Sequence, residues 1–254
     1  MGEYEKHWPL VNRRLCTAVA ALAFSLWVTG SNGAGAACRQ ALALGLDVSG
    51  SVDEAEYQLQ LQGLAAALVS DDVRASLMRM PDAPVRILVF EWSGQNYQSV
   101  LVPWTDITGP SRLKAVSELL RATTRRQAPP TTALGQAIAV GVRFLNQQPD
   151  CWKRTLDISG DGKNNTGPEP HHVNSPDKIG DIVINALIIG VDDASRMSHA
   201  ELSIAELTAY FTHRVLAGPD AFSEVAIGFE DYERAMRRKL IRELEFLSIS
   251  QLDQ

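Results

Sequence analysis

The sequence predicts a doubly wound α/β fold, with a mostly parallel central sheet, one antiparallel edge strand and helices on both faces. Short aliphatic runs recur along the chain, and segments of helical periodicity separate most of them, which is the pattern of alternating strands and helices. Polar side chains follow several of these runs directly, as at the carboxyl edge of a parallel sheet. The length of 254 residues suits one such domain and an export segment.

The amino terminus is typical of a secretory signal peptide. Arg13 and Arg14 precede an uncharged stretch at 15–28, and small residues follow it, in the order found in such leaders. The apolar part is short for a bilayer span, and an uncleaved anchor is the alternative. We expect a leader at 1–37 and a single domain at 38–254, which leaves no membrane span and makes the mature protein periplasmic or secreted.

The charge of the chain argues against nucleic-acid binding. Its formal net charge is −6, and the predicted leader takes three basic and two acidic residues with it. The mature part is therefore slightly more acidic than the whole, and it has no block of basic residues. Such a protein lacks the positive surface that attracts phosphates.

The first strand of the predicted sheet is the apolar run at 42–46, which is typical of a buried parallel strand. Apolar residues at helical spacing from Tyr57 onward predict that a helix follows. Residues 85–92 and 98–102 predict a hairpin that supplies the antiparallel edge strand. Four further helices are predicted: one that begins at Pro110 or Ser111, and others at 133–145, about 200–211 and 231–246. Strands are predicted at 154–159, 182–190 and 214–216. Loops are predicted at 71–72, 81–84 and 161–178.

A carboxylate and two hydroxyls stand directly after the first predicted strand. Asp47, Ser49 and Ser51 occupy alternate positions on the strand-to-helix loop. Their oxygens suit Mg²⁺, Mn²⁺ or Ca²⁺ and suit zinc or copper poorly. The alternative is a helix cap, in which Ser51 is the N-cap and the acidic residues after it favour the helix dipole. That alternative leaves Asp47 unexplained at the end of an aliphatic run.

Two further loops at the same sheet edge complete a candidate metal site. Asp161 follows the predicted strand at 154–159, and Thr132 lies at the start of the helix at 133–145. The three loops together offer two carboxylates and three hydroxyls, which suit an octahedral oxygen shell around Mg²⁺, with Mn²⁺ or Ca²⁺ as alternatives. An acidic ligand from outside, the Asp or Glu of a partner protein, can complete that shell.

The two cysteines of the mature chain are predicted to form a disulfide. Cys38 lies nine residues before Asp47, and Cys151 lies ten residues before Asp161. If the two aspartates end neighbouring parallel strands, both cysteines lie together at the opposite edge of the sheet. A disulfide is then favoured in an oxidising compartment. Lipidation of Cys38 is the alternative.

The residues of the candidate metal site resemble the three-part metal-ion-dependent adhesion site (MIDAS) of von Willebrand factor A domains. The residues that carry the resemblance are Asp47-Val48-Ser49-Gly50-Ser51, Thr132 and Asp161-Gly162. It implies direct binding by the two serines, direct binding by the threonine in a ligand-ready state, and direct or water-mediated binding by the two aspartates. It also implies that the Asp or Glu of a partner supplies the last oxygen. The Pro130-Thr131 pair departs from the glycine usual before the threonine.

Further blocks of the sequence are similar to an uncharacterised bacterial family of exported von Willebrand A-like proteins. They are Glu91-Trp92-Ser93-Gly94, Val102-Pro103-Trp104, Thr132-Ala133-Leu134-Gly135, Ser159-Gly160-Asp161-Gly162 and Gly218-Pro219-Asp220-Ala221-Phe222. This similarity implies a fold and a compartment, and it brings no particular activity.

Five residues near the site are candidates for a partner-binding rim. They are Glu91, Trp92, Trp104, Asn164 and Asn165. Aromatic side chains can anchor a protein partner, while aromatic residues at strand ends also pack beneath helices, and that alternative stays open. The two asparagines are interpreted as a turn beside the metal.

The pattern favours a cation-dependent protein-binding module, adhesive or scaffolding, over an enzyme. A Mg²⁺-dependent hydrolase or phosphotransferase at the same sheet edge is the alternative, but the residue two positions after Asp47 is Ser49 and not a second carboxylate. The sequence has no Gly-x-Ser-x-Gly elbow, P-loop or Gly-x-Gly-x-x-Gly turn. The third alternative is a metal-free structural domain in which the hydroxyls act only as caps.

Overall fold

The computed structural model describes residues 37–190 and 197–249, with the backbone alone for 197–203 and 245–249. Apart from its last residue, the predicted leader lies outside the described residues, so the signal peptide stays a prediction. Within the described residues six strands form one sheet: β1 (Cys38–Asp47), β2 (Val85–Trp92), β3 (Gln98–Asp106), β4 (Cys151–Gly160), β5 (Val183–Gly190) and β6 (Ser223–Ile227).

The strand order confirms the predicted doubly wound sheet. Across the sheet the order is β3-β2-β1-β4-β5-β6. The chain winds outward from β1 in both directions, because β1 pairs in parallel with β2 on one side and with β4 on the other. The β2–β3 pair alone among the named strands is antiparallel, and β3 lies at the edge.

Helices cover both faces of the sheet. On β1, Leu42, Leu44 and Leu46 join one core, while Ala41 and Ala43 join the other, as the alternation of a strand requires. The helices are α1 (Glu54–Val69), α2 (Asp71–Leu77), α3 (Pro110–Ala122), α4 (Leu134–Leu145), α5 (Pro176–Ile179), α6 (Met197–Arg214) and α7 (Tyr232–Ile249), with 3₁₀ turns at Pro170–His172 and Phe229–Asp231. The first core includes side chains of α1, α2, α3 and α7, and the second includes side chains of α4 and α6. Among the residues that the structure describes, no helix has the length and apolar character needed to cross a bilayer.

The strand predicted at 214–216 is wrong. Arg214 is the last residue of α6, and the amides of Val215 and Leu216 both donate to the carbonyl of Phe211, so this segment continues the helical turn. The sixth strand, β6, begins at Ser223. It lies at the sheet edge with most of its residues half-exposed, and it therefore lacks the continuous apolar run that marks a buried strand.

Two of the predicted loops contain short helices. Residues 71–72 begin α2, whose Val73 and Leu77 are buried in the core. The long loop at 161–178 contains the 3₁₀ turn Pro170–His172 and the start of α5. Both elements are short, and their apolar residues are too few to produce a helical period in the sequence.

The predicted disulfide is confirmed. Cys38 and Cys151 are register partners in the β1–β4 pair, and their Cα atoms lie 4.4 Å apart across the bond. They occupy the edge of the sheet opposite to Asp47. Because this bond consumes the sulfur of Cys38, it is not compatible with lipidation of that residue.

A buried ion cluster attaches α7 to the middle of the sheet. Lys239 Nζ lies 2.7 Å from Asp157 Oδ2 and 2.7 Å from Glu243 Oε1, and Asn185 Nδ2 donates to the same Glu243 oxygen at 2.8 Å. All four residues are buried. Burial raises the pKa of Asp157 to about 7, against the attraction of Lys239. Charges in such a place are tolerated only when they are paired.

Lys239→Met tests this cluster. We expect the free energy of unfolding to fall by about 3–5 kcal/mol, because Asp157 and Glu243 lose their buried counter-ion. Urea unfolding followed by circular dichroism measures the change. The control is Lys114→Met, which removes an exposed pair with Glu118 at 3.6 Å and should change stability by less than about 0.5 kcal/mol. Equal effects of the two substitutions would contradict the role of the cluster.

Removal of the disulfide tests the pairing of β1 with β4. The bond closes a loop with a sequence separation of 113 residues, so the double substitution Cys38→Ser, Cys151→Ser should lower the free energy of unfolding by about 2–5 kcal/mol. Dithiothreitol should lower the stability of the wild type toward that of the variant and leave the variant unchanged. A wild type that is insensitive to reductant would argue that the cysteines are not bonded.

Candidate metal centre

Three loops at the carboxyl edge of the sheet carry the five predicted ligands. Asp47 ends β1, and Asp161 directly follows β4. These strands are parallel neighbours, so both aspartates lie at the same edge. Ser51 Oγ donates a hydrogen bond of 2.8 Å to Asp161 Oδ1, which joins the first loop to the third. Thr132 lies on the second loop, just before α4.

Asp47 is fully buried, and one of its carboxylate oxygens lacks a partner. Its exposed fraction is 0%. Oδ1 accepts a hydrogen bond of 2.8 Å from the Ser49 amide, whereas Oδ2 has no hydrogen bond to any described residue. Burial, followed by repulsion from the Asp161 carboxylate, raises the pKa of Asp47 to about 8. A cation would satisfy this oxygen and offset the repulsion, so the residues present fit a divalent ion.

Ser51 contacts Asp161 and does not cap α1. The cap is Asp53, whose side chain accepts from the Glu56 amide at 2.9 Å, while Glu56 Oε2 accepts from the Asp53 amide at 2.8 Å. This capping box overturns the alternative in which Ser51 is the N-cap. Ser51 Oγ lies instead 3.3 Å from Ser49 Oγ. The two hydroxyls and the carboxylate of Asp161 therefore form one cluster of oxygens.

Thr132 is held between the other two loops. It is 6% exposed. Pro130, two residues earlier, accepts a hydrogen bond of 3.0 Å from the Gly50 amide on the first loop. The Thr132 amide donates to Asn165 Oδ1 on the third loop, and the Asn165 amide donates to the Thr132 carbonyl, both at 2.9 Å. The structure thus brings the three predicted loops together.

Glu91 and Trp92 do not lie on the expected partner-binding rim. Both are in the interior, 1% and 0% exposed. They end β2, which has a strand on each side, and the helices cover its faces. Trp104 is half-buried and packs against the core to which α4 and α6 contribute, so the packing alternative applies to these three residues. Asn164 and Asn165 lie on the third loop, where their side chains contact the segment around Thr132. Glu91 accepts hydrogen bonds from Tyr57 Oη, Tyr97 Oη and Arg126 Nη2, at 2.8, 2.8 and 2.9 Å.

Two arginines near the site were missed by sequence reasoning. Arg125 Nη2 donates to the carbonyls of Val48 and Ser49 at 3.3 and 3.4 Å. Arg126 reaches the buried carboxylate of Glu91. Both follow the end of α3, on the loop that leads to Thr132. The one signal in the sequence is two adjacent arginines in a loop, separated by two residues from the Pro-Pro pair.

The chemistry of the centre depends on hydroxyl oxygens as much as on carboxylates. Among the residues that the structure describes, no group of three or more His, Cys, Asp or Glu side chains is arranged to hold a metal. Two aspartates and three hydroxyls are an oxygen-only set, which suits a hard cation that retains water ligands. Ser51 and Asp161 also line an open cleft of about 220 Å³, through which a ligand can reach the sheet edge.

Gly50→Ala tests the close approach of the first two loops. An added Cβ would lie 2.8 Å from Pro130 Cβ and 2.9 Å from its carbonyl oxygen, so the loops must separate, at a cost of about 1–3 kcal/mol. Gly162→Ala is the matched control on the third loop, where an added Cβ has no atom within 4 Å. Urea unfolding in chelator should distinguish the two variants. Equal stabilities would show that the loops are not in contact.

Comparison with known proteins identifies the family and the fold. Residues 37–248 match the family described as "Protein of unknown function (DUF1194)", and no curated protein matches the sequence. Proximal thread matrix protein 1 from the mussel byssus is similar in structure, with a TM-score of 0.54 and 14% identity over 84% of this chain and 49% of that one. A second structure of it, with a zinc-occupied MIDAS motif, gives a TM-score of 0.50 and 14% identity over 82% and 46%.

An aerotolerance-related membrane protein from Bacteroides fragilis gives a TM-score of 0.48 and 15% identity over 80% of this chain and 98% of that one. The present chain spans about half the length of the mussel protein. At these identities the similarity concerns the fold alone, and it agrees with the doubly wound strand order described above. The fold is von Willebrand A-like, and the match over 37–248 shows that the protein belongs to the DUF1194 family.

Proposed function

We propose that the protein is an exported protein-binding module that depends on a divalent cation. The observation that carries the proposal is the meeting of Asp47 and Asp161 at one sheet edge, where a buried oxygen of Asp47 has no hydrogen-bond partner among the described residues. Two carboxylates brought together inside a protein repel each other, and burial makes that repulsion costly. A bound cation removes this cost.

The proposed ligands are Asp47, Ser49, Ser51, Thr132 and Asp161. The preferred ion is Mg²⁺, with Mn²⁺ or Ca²⁺ as alternatives, because all five side chains offer oxygen. When bound, the ion would neutralise the two carboxylates and leave a coordination position for an oxygen from outside. The zinc-occupied MIDAS motif of the mussel byssus protein, which has a similar fold, supports divalent-cation binding at this edge.

The proposed ligand of the module is a partner protein that presents Asp or Glu. A carboxylate is the hard oxygen donor that would complete the shell of such an ion. Arg125, which lies against the Ser49 carbonyl, adds a positive charge beside the site and favours an anionic partner. The cleft lined by Ser51 and Asp161 opens at this edge, and because Glu56 and Glu230 also line it, an acidic side chain would enter it only when the cation is bound.

Two features support binding over catalysis, and a third supports export. Asp47 is 0% exposed, so its carboxylate is not placed to attack a phosphoryl substrate as a nucleophile must. Ser49 stands where a phosphotransferase of this kind would need a second carboxylate. The Cys38–Cys151 disulfide is typical of the periplasm and of secreted proteins, which agrees with the predicted leader.

Calorimetric titration of the protein with Mn²⁺ and Mg²⁺ tests the proposal. We expect saturable binding that weakens more than about tenfold in Asp47→Ala and in Asp161→Ala, since even outer-shell partners of a metal are worth 10–100-fold in affinity. The control is Asp82→Ala, an exposed aspartate in the loop before β2, which should bind as the wild type does. Thermal unfolding in chelator checks that each variant is folded.

Two outcomes would count against the proposal. Equal cation binding by the wild type and both aspartate variants would reject the site. Hydrolysis of p-nitrophenyl phosphate that disappears in the same variants would favour the alternative of a Mg²⁺-dependent enzyme.

The proposed partner is tested by retention of envelope proteins on the immobilised protein in Mg²⁺. Retention should be lost in chelator and in Asp161→Ala.

A further inference from the structure

We propose that Asn165 is a positioning residue that holds Thr132 in the orientation required for cation binding, so that the second loop is assembled before the ion arrives. This inference rests on the proposed function, since Thr132 is one of its ligands. It assigns the asparagine a role inside the site, in place of the partner-binding rim expected from the sequence.

Asn165 contacts Thr132 at three points. Its side-chain Oδ1 accepts a hydrogen bond of 2.9 Å from the Thr132 backbone amide, and its backbone amide donates one of 2.9 Å to the Thr132 carbonyl. Its Nδ2 lies 3.5 Å from Thr132 Oγ1. The first two contacts fix the backbone on both sides of the threonine Cα. The third contacts the hydroxyl that is proposed to bind the ion, and an amide nitrogen can only donate to it.

The rest of the second loop is immobilised without Asn165. The Ala133 amide donates to the Ser93 carbonyl at 2.8 Å, and the Pro130 carbonyl accepts from Gly50. Pro129 packs so closely on Gly94 that a Cβ there would lie 3.0 Å from it, and prolines restrict the backbone further. The loop is therefore held on either side of Thr132, and Asn165 completes the constraint at the threonine itself.

The neighbours of Asn165 on the third loop have other partners. Asn164 Oδ1 accepts from the Gly135 amide at 3.2 Å, near the start of α4. Thr166 Oγ1 accepts from Gln95 Nε2 at 3.1 Å. Of these three consecutive side chains, Asn165 alone forms a hydrogen bond to one of the five proposed ligands. This difference makes Gln95→Ala a matched control, because it breaks a bond between loops of the same region without touching Thr132.

The test measures both the loop without metal and the affinity for Mn²⁺. In chelator, hydrogen exchange of the Thr132 amide, followed by NMR, should become about tenfold faster in Asn165→Ala, because its acceptor is lost. By calorimetry, Asn165→Ala should bind Mn²⁺ about 10–100-fold more weakly than the wild type. Gln95→Ala should match the wild type in both measurements. Thermal unfolding in chelator should give similar midpoints for the two variants.

A double substitution separates positioning from a general effect on folding. If Asn165 acts through Thr132, Asn165→Ala should weaken Mn²⁺ binding little further when Thr132→Ala is already present. Additive losses, or an unchanged exchange rate at Thr132, would overturn the inference. A wild type that binds no divalent cation would instead reject the proposed function, and the exchange rate would still decide whether Asn165 holds the loop.

Discussion

The rest of the structure depends on the parallel pairing of β1 with β4. Its register begins at Cys38 opposite Cys151 and continues to Gly45 opposite Ile158. A shift of one residue would turn every side chain of the strand to the other face of the sheet. The same register that aligns the cysteines at one edge therefore brings the loops of the two aspartates together at the other, and the structural bond and the proposed binding site share one cause.

The sheet edge that carries Asp47 and Asp161 destabilises the fold when no cation is bound, because two carboxylates are buried there close together. Burial raises the pKa of both Asp47 and Asp161, and the hydrogen bonds from Ser49 and Ser51 offset only part of that effect. A metal-free structural domain would gain nothing from a buried carboxylate oxygen without a partner. Departures of this kind from the rules of packing concentrate at functional sites, which is why the binding interpretation explains Asp47 better than a helix cap does.

The sheet and the meeting of the loops that carry the proposed ligands could be predicted because both leave local patterns, namely aliphatic runs and the polar residues that end them. What depends on tertiary context could not. β6 is a half-exposed edge strand without such a run, and Asp53 and Ser51 are equally good N-caps until the chain is folded. Glu91 and Trp92 are buried because β2 is an inner strand. The role of Asn165 requires a contact between residues 33 positions apart.

Contacts along the whole length of β4 hold the strand that ends next to Asp161. The disulfide ties its first residue to β1, and the Lys239 pair ties Asp157 to α7. Ser159 Oγ lies 3.0 Å from Tyr232 Oη at the start of the same helix. A site that relies on few charged ligands needs those ligands held within a fraction of an ångström. The buried ion cluster therefore contributes to the proposed centre through rigidity, because Lys239 pairs with a carboxylate of β4 and a carboxylate of α7, and this is a physical reason for charge in the core of the fold.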